Sequence, residues 1–265
     1  LTDLDKILLV AIVSSLICIF SLKLIYTFLY SRYQIMEINS PDSNISTSKI
    51  EEIIQNLKTY LKATDLNIEY ANKDSYQRIY QMLNKRQKTI QIPKWFMPSV
   101  GYELDYIIAS IWYNVKLYQK DKYIKKFNFI SVIMPLFLSI IYYLFVFLSF
   151  LLYLINYFIF TNPVDLIANP IMNFLISYPI IQIICITSFL VLLINIFYVN
   201  RLKSILEAKF EIEIIAFVDQ YCTSYKHDIS AARVYSNNIQ RINLKIFRFN
   251  SKTSNMKFLG PFTFL

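Results

Sequence analysis

Apolar residues in this chain are gathered into three long blocks separated by charged stretches. The first runs from about Ile7 to Tyr30 and is interrupted only by Lys23. As a helix it spans about 36 Å, enough to cross a hydrocarbon core of about 30 Å. Lys23 stands near one end, where its stem can snorkel to the headgroups. The run is longer than a signal-peptide core and no small-x-small cleavage site follows it, so a retained anchor is expected. The second block, Phe127 to Phe160, carries no charge for 34 residues, and the third, from about Ile171 to Val199, is also uncharged. Both exceed one crossing, which predicts tilt or protrusion, and Pro135 and Pro179 predict local bends. Thr161 to Pro170 holds two Asn-Pro steps, a turn signal that makes the second and third blocks a hairpin.

The intervening stretches have a different period. Ser48-Lys49-Ile50-Glu51 reads as a capping box. After it, Ile50, Ile53, Ile54, Leu57 and Leu61 fall on one helical face. Strand-like runs follow at Asn67–Ala71, Arg78–Leu83 and Lys88–Ile92, the last two joined by Asn84-Lys85-Arg86-Gln87. Pro93 and Pro98 bracket Trp95-Phe96 in a loop, and a helix from about Tyr102 leads to the second block. After the third block, Leu202 to Tyr221 is helical by period, and Asp228 is positioned to cap another helix through about Ile242. The last twenty residues have no clear period. The expected fold class is a mainly α membrane protein: three transmembrane helices, an anchor plus a hairpin, with a small α+β cytoplasmic region and C-terminal helices. The domain boundaries follow as 1–31 for the anchor, 32–126 for the α+β region, 127–199 for the hairpin and 200–265 for the C-terminal helices and tail.

Composition and charge refine this picture. The chain has 265 residues, 55% of them apolar, with a net charge of +9 and only two glycines. A glycine-rich phosphate loop is excluded, and with it nucleotide binding by that device. Heavy Ile, Tyr, Phe, Asn and Lys usage suggests an AT-rich coding genome. Three cysteines, two of them (Cys18 and Cys185) in apolar blocks, do not make a disulfide framework. Of the 27 Lys and Arg residues, 15 lie in residues 31–126 and 10 lie after residue 200, while 161–170 has none. By the positive-inside rule the N-terminus is outside and both polar regions are cytoplasmic, or on the matrix side in an organelle. The basic residues read as juxtamembrane contacts to lipid, and no nucleic-acid partner is expected.

The order anchor, capped helix, three strands, helix, hairpin and returning helix resembles the YugP-like family of membrane-bound neutral zinc metallopeptidases. That family carries A-A-H-E-x-G-H-A-x-Q on the helix before the hairpin and L-P-x-E-x-D-A-S on the helix after it. Here Ser110-Ile111-Trp112-Tyr113-Asn114-Val115-Lys116-Leu117-Tyr118-Gln119 stands at the first motif. Leu206-Glu207-Ala208-Lys209-Phe210-Glu211-Ile212-Glu213 stands at the second, and Ala231-Ala232-Arg233-Val234-Tyr235 is similar to the family's C-terminal helix. The resemblance covers about residues 5 to 243 and rests on element order more than on identity. It places the two histidine ligands at Trp112 and Lys116, the general base at Tyr113, the third ligand at Lys209 and an Asp at Glu211. Neither Trp nor protonated Lys ligates zinc, and none of these side chains supplies the family's carboxylate base. The resemblance therefore implies a pseudoenzyme with no catalytic residues, no metal and no cofactor. It also implies that Glu211, or a neighbouring acid such as Glu207, pairs with Lys116 or Lys209, and that the helices around 103–119 and 202–221 pack side by side.

Other chemistry finds little support. His227 is the only histidine and falls in an interhelical loop beside Asp228, and Cys222 with His227 makes at most half a tetrahedral metal site. Glu207 and Glu211 read as a solvated face, as does Glu213 with the lysines nearby, and no serine is flanked by glycine. The aromatic residues of the second block fit lipid contact. Gln182, Asn156, Asn173 and Asn195 are polar but uncharged, suited to hydrogen bonds between helices rather than to ion transfer. Two functions are expected in turn. The first is an inactive metallopeptidase-like scaffold or subunit of a membrane complex, with lipids and protein partners. The other is an accessory subunit of an energy-transducing membrane complex without peptidase ancestry.

Overall fold

The computed structural model describes residues 3–32, 45–71, 79, 82–92, 102–159, 169–238 and 262. It is predominantly helical with one small sheet. Three helices are long and apolar enough to cross a membrane, with candidate spans at Leu4–Leu22, Lys122–Phe158 and Ile180–Tyr221. The chain divides into two compact units, one of residues 1–33, 131–198 and 245–249 and the other of residues 34–130, 199–244 and 250–265.

The first unit is apolar. Helix α1 (Asp3–Arg32) covers the whole first block. The second block is helical from Lys122 onward, but a wide π turn, Phe129–Ile133, interrupts it immediately before the helix that holds Pro135. Proline has no N–H and its ring crowds the carbonyl four residues back, and a widened turn accommodates both effects. The third block is broken rather than bent. A short helix, Pro170–Ser177, begins at an Asn169 cap and ends at Tyr178, which is extended as the residue before a proline prefers. A continuous helix then runs Ile180–Tyr221. The turn over residues 161–168 and the side chain of Lys23 lie outside the described residues. Ile12, Ile19, Tyr142 and Cys185 form the interior, with large apolar side chains such as Phe137, Phe147 and Phe197 fully on the outside.

The second unit is built around one helix. Helix α2 (Thr47–Tyr60) is capped by Ser46, whose hydroxyl accepts from the Lys49 amide at 3.4 Å. The helix therefore starts before the predicted capping box. Ser46 holds the extended backbone of a cap while Ser48 is already helical, which leaves Glu51 out of reach of a reciprocal bond. The expected apolar face is buried as predicted, at Ile50, Ile53, Ile54, Leu57 and Leu61. The helix ends on Lys62 at φ 53°, with the Ala63 amide bonded back to the Lys58 carbonyl. A lysine thus takes the left-handed position that glycine usually fills.

Strands β1 (Asn67–Tyr70), β2 (Leu83–Asn84) and β3 (Thr89–Ile92) form a sheet in the order β1-β3-β2. The first pairs with β3 in parallel and β2 pairs with β3 antiparallel. Of the strand expected over Arg78–Leu83, only Leu83 belongs to this pairing among the described residues. The expected turn is present, and Asn84 Oδ1 accepts from the Arg86 and Gln87 amides at 3.2 and 3.3 Å. Residues 93–101, with Trp95 and Phe96, lie outside the described residues.

Helix α3 (Tyr102–Tyr118) is buried from Leu104 through Val115, with no face open to solvent over those residues. Such all-round burial marks the central helix of a unit. Asn114 donates to the Ile79 and Ser110 carbonyls at 3.0 and 2.8 Å, and Gln119 donates to the Leu61 carbonyl at 2.7 Å. After Lys120, again at positive φ, Asp121 caps α4 (Lys122–Asn128). With the further helices numbered in order, α5 is Met134–Phe158, α6 is Pro170–Ser177, α7 is Ile180–Tyr221 and α8 is Lys226–Asn238. Asp228 lies in the first turn of α8 rather than capping it, because a 3-10 turn, Thr223–Tyr225, leads into the helix two residues earlier than expected.

Candidate functional site

Helix α3 aligns Asp105, Trp112 and Lys116 at spacings of seven and four, which keeps them on one face. The second half of α7 presents Phe210 and Glu213 to that face. The Trp112 indole N–H donates to Glu213 Oε2 at 2.8 Å, and Lys116 Nζ lies 2.8 Å from the same oxygen. Trp112 is completely buried, and its ring meets those of Phe210 at 5.2 Å and Phe262 at 5.9 Å, both edge-on. An indole has a donor and no acceptor, so a carboxylate is the partner that satisfies it in a dry site.

A second ion pair crosses the same helices with the charges exchanged. Lys209, one turn before Glu213 on α7, donates to Asp121 Oδ2 at 2.7 Å and lies 5.0 Å from the centre of the Tyr123 ring. Asp121 also accepts from the Tyr123 and Ile124 amides at 2.8 and 3.2 Å. Burial alone pushes the Asp121 carboxyl up, but the Lys209 hydrogen bond and the two amides outweigh it and hold the group below its ordinary value.

Further along α3, Asp105 Oδ2 meets Arg233 of α8 at 3.3 Å. Both side chains are deeply buried, and the guanidinium stands 4.9 Å from the centre of the Phe210 ring. Phe210 is thereby held between Arg233 and Trp112. Three pairs, Asp105–Arg233, Lys116–Glu213 and Asp121–Lys209, bind α3 and its C-terminal turn to α7 and α8. The C-terminal end of α7 is held separately, where Asn56 Nδ2 donates to the Tyr221 carbonyl at 3.2 Å. That contact satisfies a carbonyl which a helix end leaves without a partner.

Of the positions singled out by the resemblance, Trp112 and Lys116 come together on one carboxylate. Lys209 lies on the same face of α7 but is engaged with Asp121. Tyr113 is fully buried, with its ring 6.3 Å from that of Phe262. Glu211 is exposed, away from the cluster. Side chains of the helices over 103–119 and 202–221 meet at Trp112, Lys116, Phe210 and Glu213, although the backbone of α3 lies nearer to α8. The acids that pair with the lysines are Asp121 and Glu213, a neighbour of Glu211, rather than Glu211 or Glu207. The reason is helical geometry: Glu211 is two residues from both Lys209 and Glu213, about 200° around the helix. Glu207 instead approaches Lys203 at 3.6 Å.

Asp105, Arg233 and Phe262 escaped the sequence reading, and Glu213, expected on a solvated face, is instead turned toward Trp112 and Lys116. An acid at Asp105, in helical register with Trp112 and Lys116, was a usable signal. Phe262 offered none. His227 is exposed on the first turn of α8 rather than in a loop, whereas Cys222 is buried and accepts from Asn56 at 3.6 Å. Burial pushes the Cys222 thiol up from its ordinary value, so it stays protonated and weakly nucleophilic. No group of three or more His, Cys, Asp or Glu suited to a metal ion occurs among the described residues. What this arrangement does chemically is neutralise and anchor. Each carboxylate faces a cation, and Glu213 and Asp121 take additional N–H donors. Comparison with protein families, curated proteins and solved structures gives no match for this chain.

Proposed function

We propose that this chain is a catalytically inert integral membrane protein, a scaffold or subunit of a membrane complex built on a metallopeptidase-like frame. The observation that carries the reading is the convergence of Trp112 and Lys116 on Glu213 Oε2, with the Trp112 ring packed on those of Phe210 and Phe262. In a hydrolytic site the carboxylate needs a free lone pair aimed at a water or a metal. Here Glu213 Oε2 accepts from two donors, one of them the Lys116 ammonium, so the carboxylate is engaged as one half of an ion pair. The cluster works as a brace that fixes α3 against α7. Supporting the membrane reading, α7 is about 63 Å long, twice the hydrocarbon core, and its uncharged stretch ends at Arg201. The distribution of Lys and Arg supports an external N-terminus and cytoplasmic polar regions.

The test is extraction from host membranes in mild detergent, followed by native mass and zinc determination on one sample. The reading predicts an assembly heavier than one chain of 31.5 kDa with its detergent, and far less than one zinc per chain. A lone chain, or stoichiometric zinc with peptide hydrolysis that Glu213→Gln abolishes, would overturn it.

A further inference from the structure

We propose that the outer edge of β1 is a docking site for an extended, lysine- or arginine-bearing segment of a partner protein, added to the sheet as a fourth strand. The parallel register with β3, together with the Asn67 amide bonded to the Lys88 carbonyl and the Ala71 amide to the Ile92 carbonyl, sets which groups point inward. In a parallel strand the N–H and C=O of one residue point the same way, and alternate residues face opposite edges. Asn67, Glu69 and Ala71 therefore face β3, and Ile68 and Tyr70 direct their backbone N–H and C=O groups outward. Among the described residues nothing pairs with that edge.

Beside the edge lies a groove of about 440 Å³ lined by Ile68, Tyr70 and Ile92 of the sheet and by Glu51, Glu52 and Ile54 of α2. Its floor is apolar, because Ile54 and Ile92 are buried, and its rim is acidic. The Tyr225 hydroxyl donates to Glu52 at 2.5 Å and fixes that carboxylate in place, while Glu51 is exposed. An acidic rim next to an open edge selects against acidic segments and for a basic visitor. Strand addition supplies the main-chain hydrogen bonds, alternate apolar side chains fill the groove, and a cation reaches Glu51 and Glu52. The edge can recruit such a segment whether or not α3 carries any chemistry.

The test uses the full chain in non-ionic detergent and a fluorophore-labelled Lys-Val-Lys-Val-Lys-Val peptide, read by anisotropy. Saturable binding is expected, with no binding of the same peptide methylated on alternate backbone nitrogens and none of a Glu-Val repeat. Ile68→Pro removes one outward donor and leaves the ladder to β3 intact, so affinity should fall by about tenfold relative to Ile68→Ala. Glu51→Gln should weaken binding severalfold and flatten its salt dependence. Should Ile68→Pro fail to fold, the methylated peptide on the unaltered protein decides the point. No saturable binding, equal binding of the methylated peptide, or equal binding of the Glu-Val repeat would each overturn the proposal.

Discussion

The two units bury their polar groups in contrasting ways. In the apolar unit, a buried polar contact joins two neutral hydroxyls, Ser15 and Tyr142, 2.6 Å apart. Other hydroxyls there turn back on their own helix, as Ser139 does to the Pro135 carbonyl and Ser149 to the Phe145 carbonyl. In the other unit ion pairs enter the interior beside neutral contacts such as that of Asn114 to the Ile79 carbonyl, and Asp105–Arg233 is the most buried pair among the described residues. The outer surfaces contrast too. Phe147 is 64% and Phe197 76% exposed in the apolar unit, whereas α2 exposes Glu51, Glu52 and Gln55. Each pattern suits one surrounding. A surface of phenylalanine is compatible with lipid, and the interior beneath it also holds the side chains of Asp5, Gln182 and Asn195 beside the hydroxyls. A polar surface is compatible with water, where charges enter an interior as pairs.

The contrast breaks most visibly at Asp105. Asp105→Ala strands a buried guanidinium and should cost about 3–5 kcal/mol, measured by denaturant unfolding of the detergent-solubilised protein. Replacing the pair together, Asp105→Leu with Arg233→Met, should recover much of that loss. Equal destabilisation by the single and double variants would show that the pair is not the source.

Glu213→Ala removes the acceptor shared by Trp112 and Lys116, and a loss of about 1–3 kcal/mol is expected. The indole emission should change with it, since Trp112 loses a charged neighbour at 2.8 Å. An unchanged spectrum, with Trp95 replaced by phenylalanine so that Trp112 is the only source, would contradict the assigned contact.

Acid provides a graded probe of the same brace. Asp121 titrates below its ordinary 3.8 when folded, so the unfolded chain binds its proton first as pH falls. The stability from this group is therefore present above about pH 4 and is lost as pH drops through the lowered folded value. Lys209→Met should reduce that acid sensitivity. A pH profile identical to that of the unaltered protein would remove the Asp121–Lys209 pair from the account.

Neutral contacts in the apolar unit should matter least. Tyr142→Phe removes the Ser15 contact, for which about 0.6 kcal/mol is typical between membrane helices. A loss as large as that at Asp105 would erase the distinction between the units.

Much of this fold is legible in the sequence because it rests on period and composition. The uncharged blocks and the Ile50–Leu61 face each repeat one signal many times, and the helices formed where they indicate. Features that depend on single residues were less visible. Ser46 and Ser48 are chemically equivalent caps, and only backbone conformation distinguishes them. Pro179 looks like a kink in a lone helix, but the extended Tyr178 before it turns the kink into a break. At the brace, the sequence places Lys116 and Lys209 close to an acid but offers several acids. The 100° step per residue excludes Glu211 only once the face of α7 that meets α3 is known. Asp105 and Arg233 are 128 residues apart, and no local pattern links them.

The central claim is that the cluster on Glu213 is a mechanical brace and not a reaction centre, and a charge-free replacement tests it most directly. Lys116→Met combined with Glu213→Met keeps bulk at both positions and removes the ion pair, and its native mass would be measured after mild extraction alongside the unaltered protein. A brace predicts an assembly of unchanged mass with only a modest shift in unfolding, because packed apolar pairs substitute well for buried ion pairs. Loss of the assembly with the chain still folded and its unfolding unchanged would contradict the claim, since the charges themselves would then be what the protein uses.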